Sequence, residues 1–125
     1  MPDRKIKITS GGVTVDAELN DSPTAQQVWD ALPIQARANT WGDEIYFGIG
    51  LGADQEPDAD DVVEMGAVGY WPPGDALCLF FGRTPASRGD EIRAASAVNL
   101  LGFVSGDATV LKQVRSGAPI QVEQA

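Results

Sequence analysis

From Lys5 to Thr9 and again from Val13 to Leu19, polar and apolar residues alternate, and Gly11-Gly12 separates the two runs. A period of two puts every second side chain on the same face. Each run therefore reads as a strand with one buried face, and the two-glycine connection as a tight hairpin turn. This opening constrains the rest, because a chain that begins as an antiparallel hairpin must cover its apolar face and manage its exposed edges.

The next segment supplies a cover. Ser22 is an N-cap residue followed by Pro23, and Ala25, Val28, Trp29 and Leu32 fall at helical spacing before Pro33. A short amphipathic helix over 23–32 is expected to pack on the sheet. Alternation resumes from Ile34 to Thr40, breaks at Trp41-Gly42-Asp43 and resumes from Glu44 to Gly50, giving two further strands. Gly66 to Trp71 is another strand and Pro72-Pro73-Gly74-Asp75 a rigid turn, with the cis or trans state of both prolines left open. Ala76 to Phe81 is a continuous apolar run of the length of a buried central strand.

Gly82 to Asp90 reads as a loop and Val98 to Val104 as a strand interrupted at Gly102, where an isolated glycine marks a bulge or a close backbone approach. Asp107 or Ser105 caps a second helix through Val110, Leu111 and Val114, ended by Gly117, and Pro119 to Glu123 forms the last strand. The reading is mainly β, about eight strands and two short helices. Closing the sheet into a barrel is the complete way to remove its edges.

A chain of 125 residues, 43% hydrophobic and 22% charged, is expected to form a single domain over 1–125 around one core. Its net charge of −9 argues against nucleic acid and anionic membrane partners. The one basic cluster, Arg4, Lys5 and Lys7, has Asp3 beside it. Cys78 is the only cysteine, which excludes an internal disulfide, and its apolar neighbours predict a buried small hydrophobe. The polar start of the chain carries no signal-type apolar stretch and no run approaches membrane-spanning length, so the expected location is cytoplasmic.

Familiar catalytic patterns are absent. The chain has no histidine, no Gly-x-Ser-x-Gly elbow, no Walker loop and no Cys/His metal spacing. Gly52 to Asp61 carries Asp54, Glu56, Asp58, Asp60 and Asp61 and reads as a solvated loop or a first helical turn. A calcium loop begun at Asp54 needs Gly at its sixth position and Glu at its twelfth, where this chain has Ala59 and Met65. No metal and no cofactor are therefore expected. Asp43 and Glu44 point to opposite faces if a strand begins there, so they read as a solvated turn and not as an acid/base pair.

The aromatic set remains. Phe80 and Phe81, adjacent on a strand, face opposite ways, one filling the barrel and the other packing beneath a helix. Tyr70 and Trp71 stand at a strand-to-turn junction and Trp41 precedes a turn glycine, which makes them candidates for a pocket rim. The alternative is that Trp71 stacks on Pro72 or Pro73 and only stiffens the turn.

The stretch from Tyr70 to Gly82, with Trp41 to Phe47 upstream and Thr84-Pro85-Ala86-Ser87 and Ala97 to Gly102 downstream, resembles a family of small prokaryotic cyclophilin-like proteins of unknown function, typified by a Thermotoga protein. Ala67 and Arg83 depart from the family pattern, which has an acidic residue and a proline there. The resemblance covers nearly the whole chain and implies a closed eight-stranded β-barrel with helices over its ends.

In true cyclophilins, which are prolyl isomerases, an arginine polarises the target amide beside an aromatic floor, with a histidine and a tryptophan lining the groove. Arg37 lies on the strand after the first helix, as that arginine does, but its neighbours do not match the cyclophilin motif, and an outward position over the sheet is the competing reading. The resemblance thus implies a binding module for a small ligand or a proline-containing, extended peptide, without efficient isomerase activity. Its expected groove is lined by Arg37, Trp41, Tyr46, Tyr70, Trp71 and Phe80. The alternatives are a weak prolyl isomerase with Arg37 as catalytic donor, and a structural or oligomeric interaction protein.

Overall fold

A computed structural model describes residues 4–125. Asp3, beside the basic cluster, lies outside them. The chain opens with strands β1 (Arg4–Ser10) and β2 (Val13–Leu19), paired from Arg4↔Leu19 to Ser10↔Val13. Gly11 takes the left-handed conformation (φ 58°) that a two-residue hairpin loop asks of its first residue. The alternation read in the sequence becomes alternating burial: Ile6, Ile8, Val15, Ala17 and Leu19 face the core.

Helix α1 (Pro23–Ala31) begins where the cap predicts, with the Ala25 amide donating to Ser22 Oγ at 3.3 Å, and its Ala25 and Val28 side chains are fully buried. After the cis Leu32–Pro33 bond come β3 (Ile34–Arg37), β4 (Asn39–Thr40) and β5 (Glu44–Gly48). Pro72 and Pro73 are trans. The remaining strands are β6 (Asp60–Val63), β7 (Ala67–Trp71), β8 (Ala76–Phe80), β9 (Ile92–Ser105) and β10 (Pro119–Gln124).

Nine strands form one antiparallel ladder in the order β3-β10-β1-β2-β9-β7-β8-β5-β4, and β6 adds to β9 off this path. The mainly β architecture expected from the sequence is present, but the ladder is not closed by hydrogen bonds and has more than eight strands. Its two outermost strands are consecutive pieces of one segment, parted only by Ala38. The Ala38 N–H donates to Ala118 O (2.8 Å) and its carbonyl accepts from Gly117 N (2.7 Å), on the β10 side, whereas Asn39 already pairs with Tyr46 of β5. Each backbone group bonds once here, so the chain itself, and no strand pair, joins the two ends.

Two other expectations change. The second helix is a 3₁₀ helix, Ala108–Gln113, capped by Asp107 accepting from the Thr109 amide at 3.0 Å. Of the two readings of the acidic stretch, the loop holds as far as Ala59 and the helical turn does not, and Asp60 and Asp61 begin a strand. Within it, Asp61 pairs with Arg93 of β9 at 2.6 Å, which ties β6 down.

Gly102 shows why the sheet can bend as it does. A Cβ there would lie 1.9 Å from the Glu18 carbonyl oxygen, so only glycine lets β2 approach β9 at this point. The register of β9 against β7 shifts beside it, Gly102 opposing Val68 and Leu100 opposing Gly69, which leaves Leu101 as the bulged residue.

The long loop between β5 and β6 is held by two polar nodes. Asp75, in the left-handed conformation (φ 49°), accepts from the Leu51 and Gly52 amides (2.9 and 3.0 Å) and from the Tyr70 hydroxyl, which itself accepts from the Ala53 amide at 3.1 Å. Burial first, and the neighbouring Asp75 second, push the Tyr70 hydroxyl up to about 12. Asn99, fully buried, donates to Thr24 Oγ1 (3.0 Å) and Asp54 O (2.9 Å) and accepts from the Glu56 amide (2.8 Å). The Glu56 carboxylate in turn accepts from the Thr24 amide at 3.0 Å, at the N-terminus of α1, where negative charge is favoured.

Two outcomes follow. Gly102→Ala is expected to lower unfolding free energy by about 2–4 kcal/mol in urea titrations, since backbone must move, while Gly12→Ala, whose Cβ meets nothing within 4 Å, stays within about 0.5 kcal/mol of wild type. Tyr70→Phe leaves the Ala53 amide without its acceptor and should cost about 1–3 kcal/mol, with hydrogen exchange accelerated at residues 51–53 before the sheet.

Candidate functional site

The turn before β5 is fixed by close backbone packing. A Cβ on Gly42 (φ 61°) would fall 2.9 Å from Arg83 O and Thr84 Cα, so this turn lies directly on the loop after β8. Trp41 N donates to Glu44 O (2.9 Å), Asp43 N to Arg83 O (2.8 Å) and Phe81 N to Asp43 O (2.9 Å). Strand β5 then leaves the turn with Glu44 and Tyr46 on one face, opposite Phe80 and Cys78 of β8.

A second wall comes from an irregular stretch of β9. Asp60 opposes Val98 while Val62 opposes Arg93, so Asp61 on β6 faces four residues, Ala94 to Ala97, which bulge out of the ladder. The bulge is clamped to the end of β7, where the Trp71 indole N–H donates to Ser96 Oγ at 2.6 Å. On its other side the indole lies against Gly74, where a Cβ would sit 2.6 Å from two ring carbons. The turn glycine thus packs directly on Trp71.

Between these walls is a cavity of about 260 Å³. Trp41, Tyr46 and Trp71 supply three aromatic rings, Ala94, Ala95 and Val98 supply small apolar surface, and Glu44 supplies a carboxyl group. Val98 reaches this position because Gly69 has no side chain, a Cβ there lying 3.1 Å from Val98 Cγ2. Phe80 and Cys78, with Ala67, Ile92, Ala94 and Val98, form a small core cluster against which Tyr46 and Trp71 pack, so Phe80 is floor beneath the rings.

Glu44 is only 6% exposed. Burial raises its carboxyl from the ordinary 4.5 to about 7, partly offset by the neighbouring Cys78 thiol. Cys78 is pushed up well above the usual thiol value, by burial first and then by the nearby Glu44 charge. A thiol so disfavoured as thiolate is a poor nucleophile, as the apolar surroundings in the sequence suggested. The site can therefore offer a ligand aromatic faces and one carboxyl that donates or accepts according to pH.

The residues singled out in the sequence divide three ways. Trp41, Tyr46 and Trp71 come together around the cavity, and Phe80 lies under it. Tyr70 points to the opposite face of the sheet, fully buried in the main core with its hydroxyl bonded to Asp75, and does not line the cavity. Arg37 is exposed. Its guanidinium donates to Gly117 O at 3.0 Å, beside a shallow concavity with Gly11, Gln35 and Gln121 that shares no residue with the aromatic one.

The solvated-turn expectation for Glu44 is corrected: Asp43 is at the turn, but Glu44 is inside. The available signal was the period of two, which puts Glu44 on the same strand face as Tyr46. Ala94 and Ala95 were missed because Ile92 to Ala97 is poor in strong strand formers and was not read as strand at all.

Residues 4–123 of the chain match the family model described as cyclophilin-like, and the chain belongs to that family. It is similar to a hypothetical protein of Archaeoglobus fulgidus, known from a solution structure, with 41% identity and a TM-score of 0.83 over 98% of this chain and 95% of that one. Comparison with curated proteins gave no match.

The raised carboxyl has a measurable consequence. Between pH 4.5 and 7 the folded chain holds a proton on Glu44 that the unfolded chain has released, so stability falls as pH rises through this window, by at most about 3 kcal/mol. Glu44→Gln removes the titration. The variant should match wild type near pH 4.5 and exceed it by about 2–3 kcal/mol at pH 8 in urea titrations, and a difference that does not change with pH would show that the carboxyl is not held up.

Proposed function

We propose that the chain is a binding module of the cyclophilin-like family that receives a small ligand, or one side chain of an extended peptide, in the cavity of Trp41, Tyr46 and Trp71, without efficient prolyl isomerase activity. The observation that carries this reading is the convergence of three aromatic rings and a single buried carboxyl on one cavity whose lining holds no arginine or lysine. Ligand sites are concave, largely apolar and supplied with few polar groups, commonly of about 300–1,000 Å³. At about 260 Å³ the cavity lies just below that range, a size for a small ligand or a single side chain.

Isomerisation needs a donor that weakens amide resonance next to the apolar floor that holds the proline. Arg37, the residue in the expected strand position, instead bonds to Gly117 O beside a different concavity. That separation supports a role in binding over a role in catalysis.

The test is an NMR titration of isotope-labelled protein with a proline-containing peptide and a set of fragment-sized ligands, following protein shifts and the peptide's own cis–trans exchange together. Shifts are expected at the Trp41 and Trp71 indoles and at residues 94–98, without faster exchange and without any effect of Arg37→Ala. Faster exchange that disappears in Arg37→Ala would establish an isomerase, and silence of the cavity signals toward every ligand would overturn the binding role.

A further inference from the structure

We propose that the aromatic cavity selects an organic cation, a small molecule carrying an alkylated ammonium group that sits among the Trp41, Tyr46 and Trp71 rings with Glu44 as its counter-charge. This inference rests on the binding role proposed above and names the chemistry of its ligand.

Aromatic faces carry negative potential, and tryptophan attracts cations most strongly, so several rings around one cavity with a carboxylate favour a soft, weakly hydrated ammonium ion over a neutral group of the same shape. The cavity has two tryptophans, one tyrosine and Glu44, and small alanines where a bulkier side chain would fill the space. Among the described residues no cation is paired with Glu44. Arg93 is held by Asp61 and Glu91 at 2.6 and 2.7 Å, Lys112 stands 4.0 Å from Asp43, and Arg83, whose carbonyl accepts from the Asp43 amide, has an exposed side chain. A net charge of −9 adds a long-range field that draws cations toward the protein and repels anions.

The groups that face Glu44 make its charge depend on what occupies the cavity. From β8 it meets the neutral Cys78 thiol, from its own strand Tyr46, from the turn Trp41, and from β9 only Ala94, Ala95 and Val98, with Ser96 engaged by Trp71. None supplies positive charge. An empty cavity therefore favours the neutral acid, and a bound ammonium ion favours the carboxylate, so uptake of the cation releases a proton near and below neutral pH.

The experiment compares choline with 3,3-dimethylbutan-1-ol, its neutral isostere, by titration while following the indole resonances. Trp41 and Trp71 should shift, and Trp29 on α1, which packs against the main core, is the internal control. Choline should bind at least about tenfold more tightly than the alcohol at pH 8. Its affinity should fall about tenfold between pH 8 and pH 6, while that of the alcohol stays level. Glu44→Gln should lose the preference and the pH dependence yet still bind the alcohol, which shows that the cavity is intact. An N-acetyl trimethyllysine amide, with the same headgroup on a peptide-like stem, distinguishes a free small cation from a modified side chain by which of the two binds more tightly.

If the alcohol binds as well as choline, or if Glu44→Gln binds choline unchanged, the cation inference is overturned and the binding role stands. If neither compound nor any ligand of the wider set moves the Trp41 and Trp71 signals at millimolar concentration, both fall.

Discussion

The fold depends on the absence of a side chain at position 102. With the Glu18 carbonyl oxygen 1.9 Å from where a Cβ would be, β2 and β9 approach there as closely as backbone allows. The Leu101 carbonyl accepts from Asn20 N at 2.6 Å while the Leu101 side chain is fully buried, so the bulge is bonded on the side where it leaves the ladder. One strand can then serve three partners: the C-terminal part of β9 pairs with β2 and β7, and its N-terminal part is free to pair with β6. The cavity is built on that freedom, because the same N-terminal part bulges over Trp71 and supplies the small residues opposite the aromatic rings.

Polar groups then decide what is available for chemistry and what is not. The acidic loop looks like a cation site in the sequence, yet several of its groups have structural partners: Glu56 receives the start of α1, Asp61 holds Arg93, and Asp54 O receives Asn99. Among the described residues no buried side-chain polar atom lacks a partner, so these networks are complete, and complete buried networks specify one geometry. The loop is thus a strap over the sheet, anchored at one end by Asp75 and Tyr70 and at the other by Asn99.

Local pattern made much of this legible. The hairpin at Gly11, the cap at Ser22, the strand glycine at position 102 and the opposite faces of Phe80 and Phe81 are each set by neighbours in sequence, and each lies where the pattern placed it. What pattern could not show was set by contacts distant in sequence. Whether β3 and β4 are one strand or two depends on Ala38 bonding to Gly117 and Ala118 before Asn39 turns to Tyr46. The site divides in the same way: Trp41 and Trp71 sit at turns that the sequence marks, but the wall facing them is a run of alanines made into strand only by β6 and the Arg93 ion pairs. Tyr70 was drawn to the rim by its place beside Trp71, and period two sends it to the other face, where its hydroxyl is needed by the loop.

Glu44 remains the residue that fold alone does not account for. Asp61, Glu91 and Asp107 have carboxyls held low by hydrogen-bonded partners, and in Asp75 three such bonds outweigh the burial that would raise it. Those groups stabilise the chain in the charged form. Glu44 does the reverse: it is buried, only the Cys78 thiol lies near to offset that burial, and its charged form weakens the fold. A glutamine would fill the same space without a charge to bury. A position that departs from what local stability favours is where function is best sought, since consistency across the rest of the structure leaves few other reasons for the exception. The family fold hosts this cavity without dictating what it does, and the chemistry is that of Glu44 and three rings, not of the sheet that holds them.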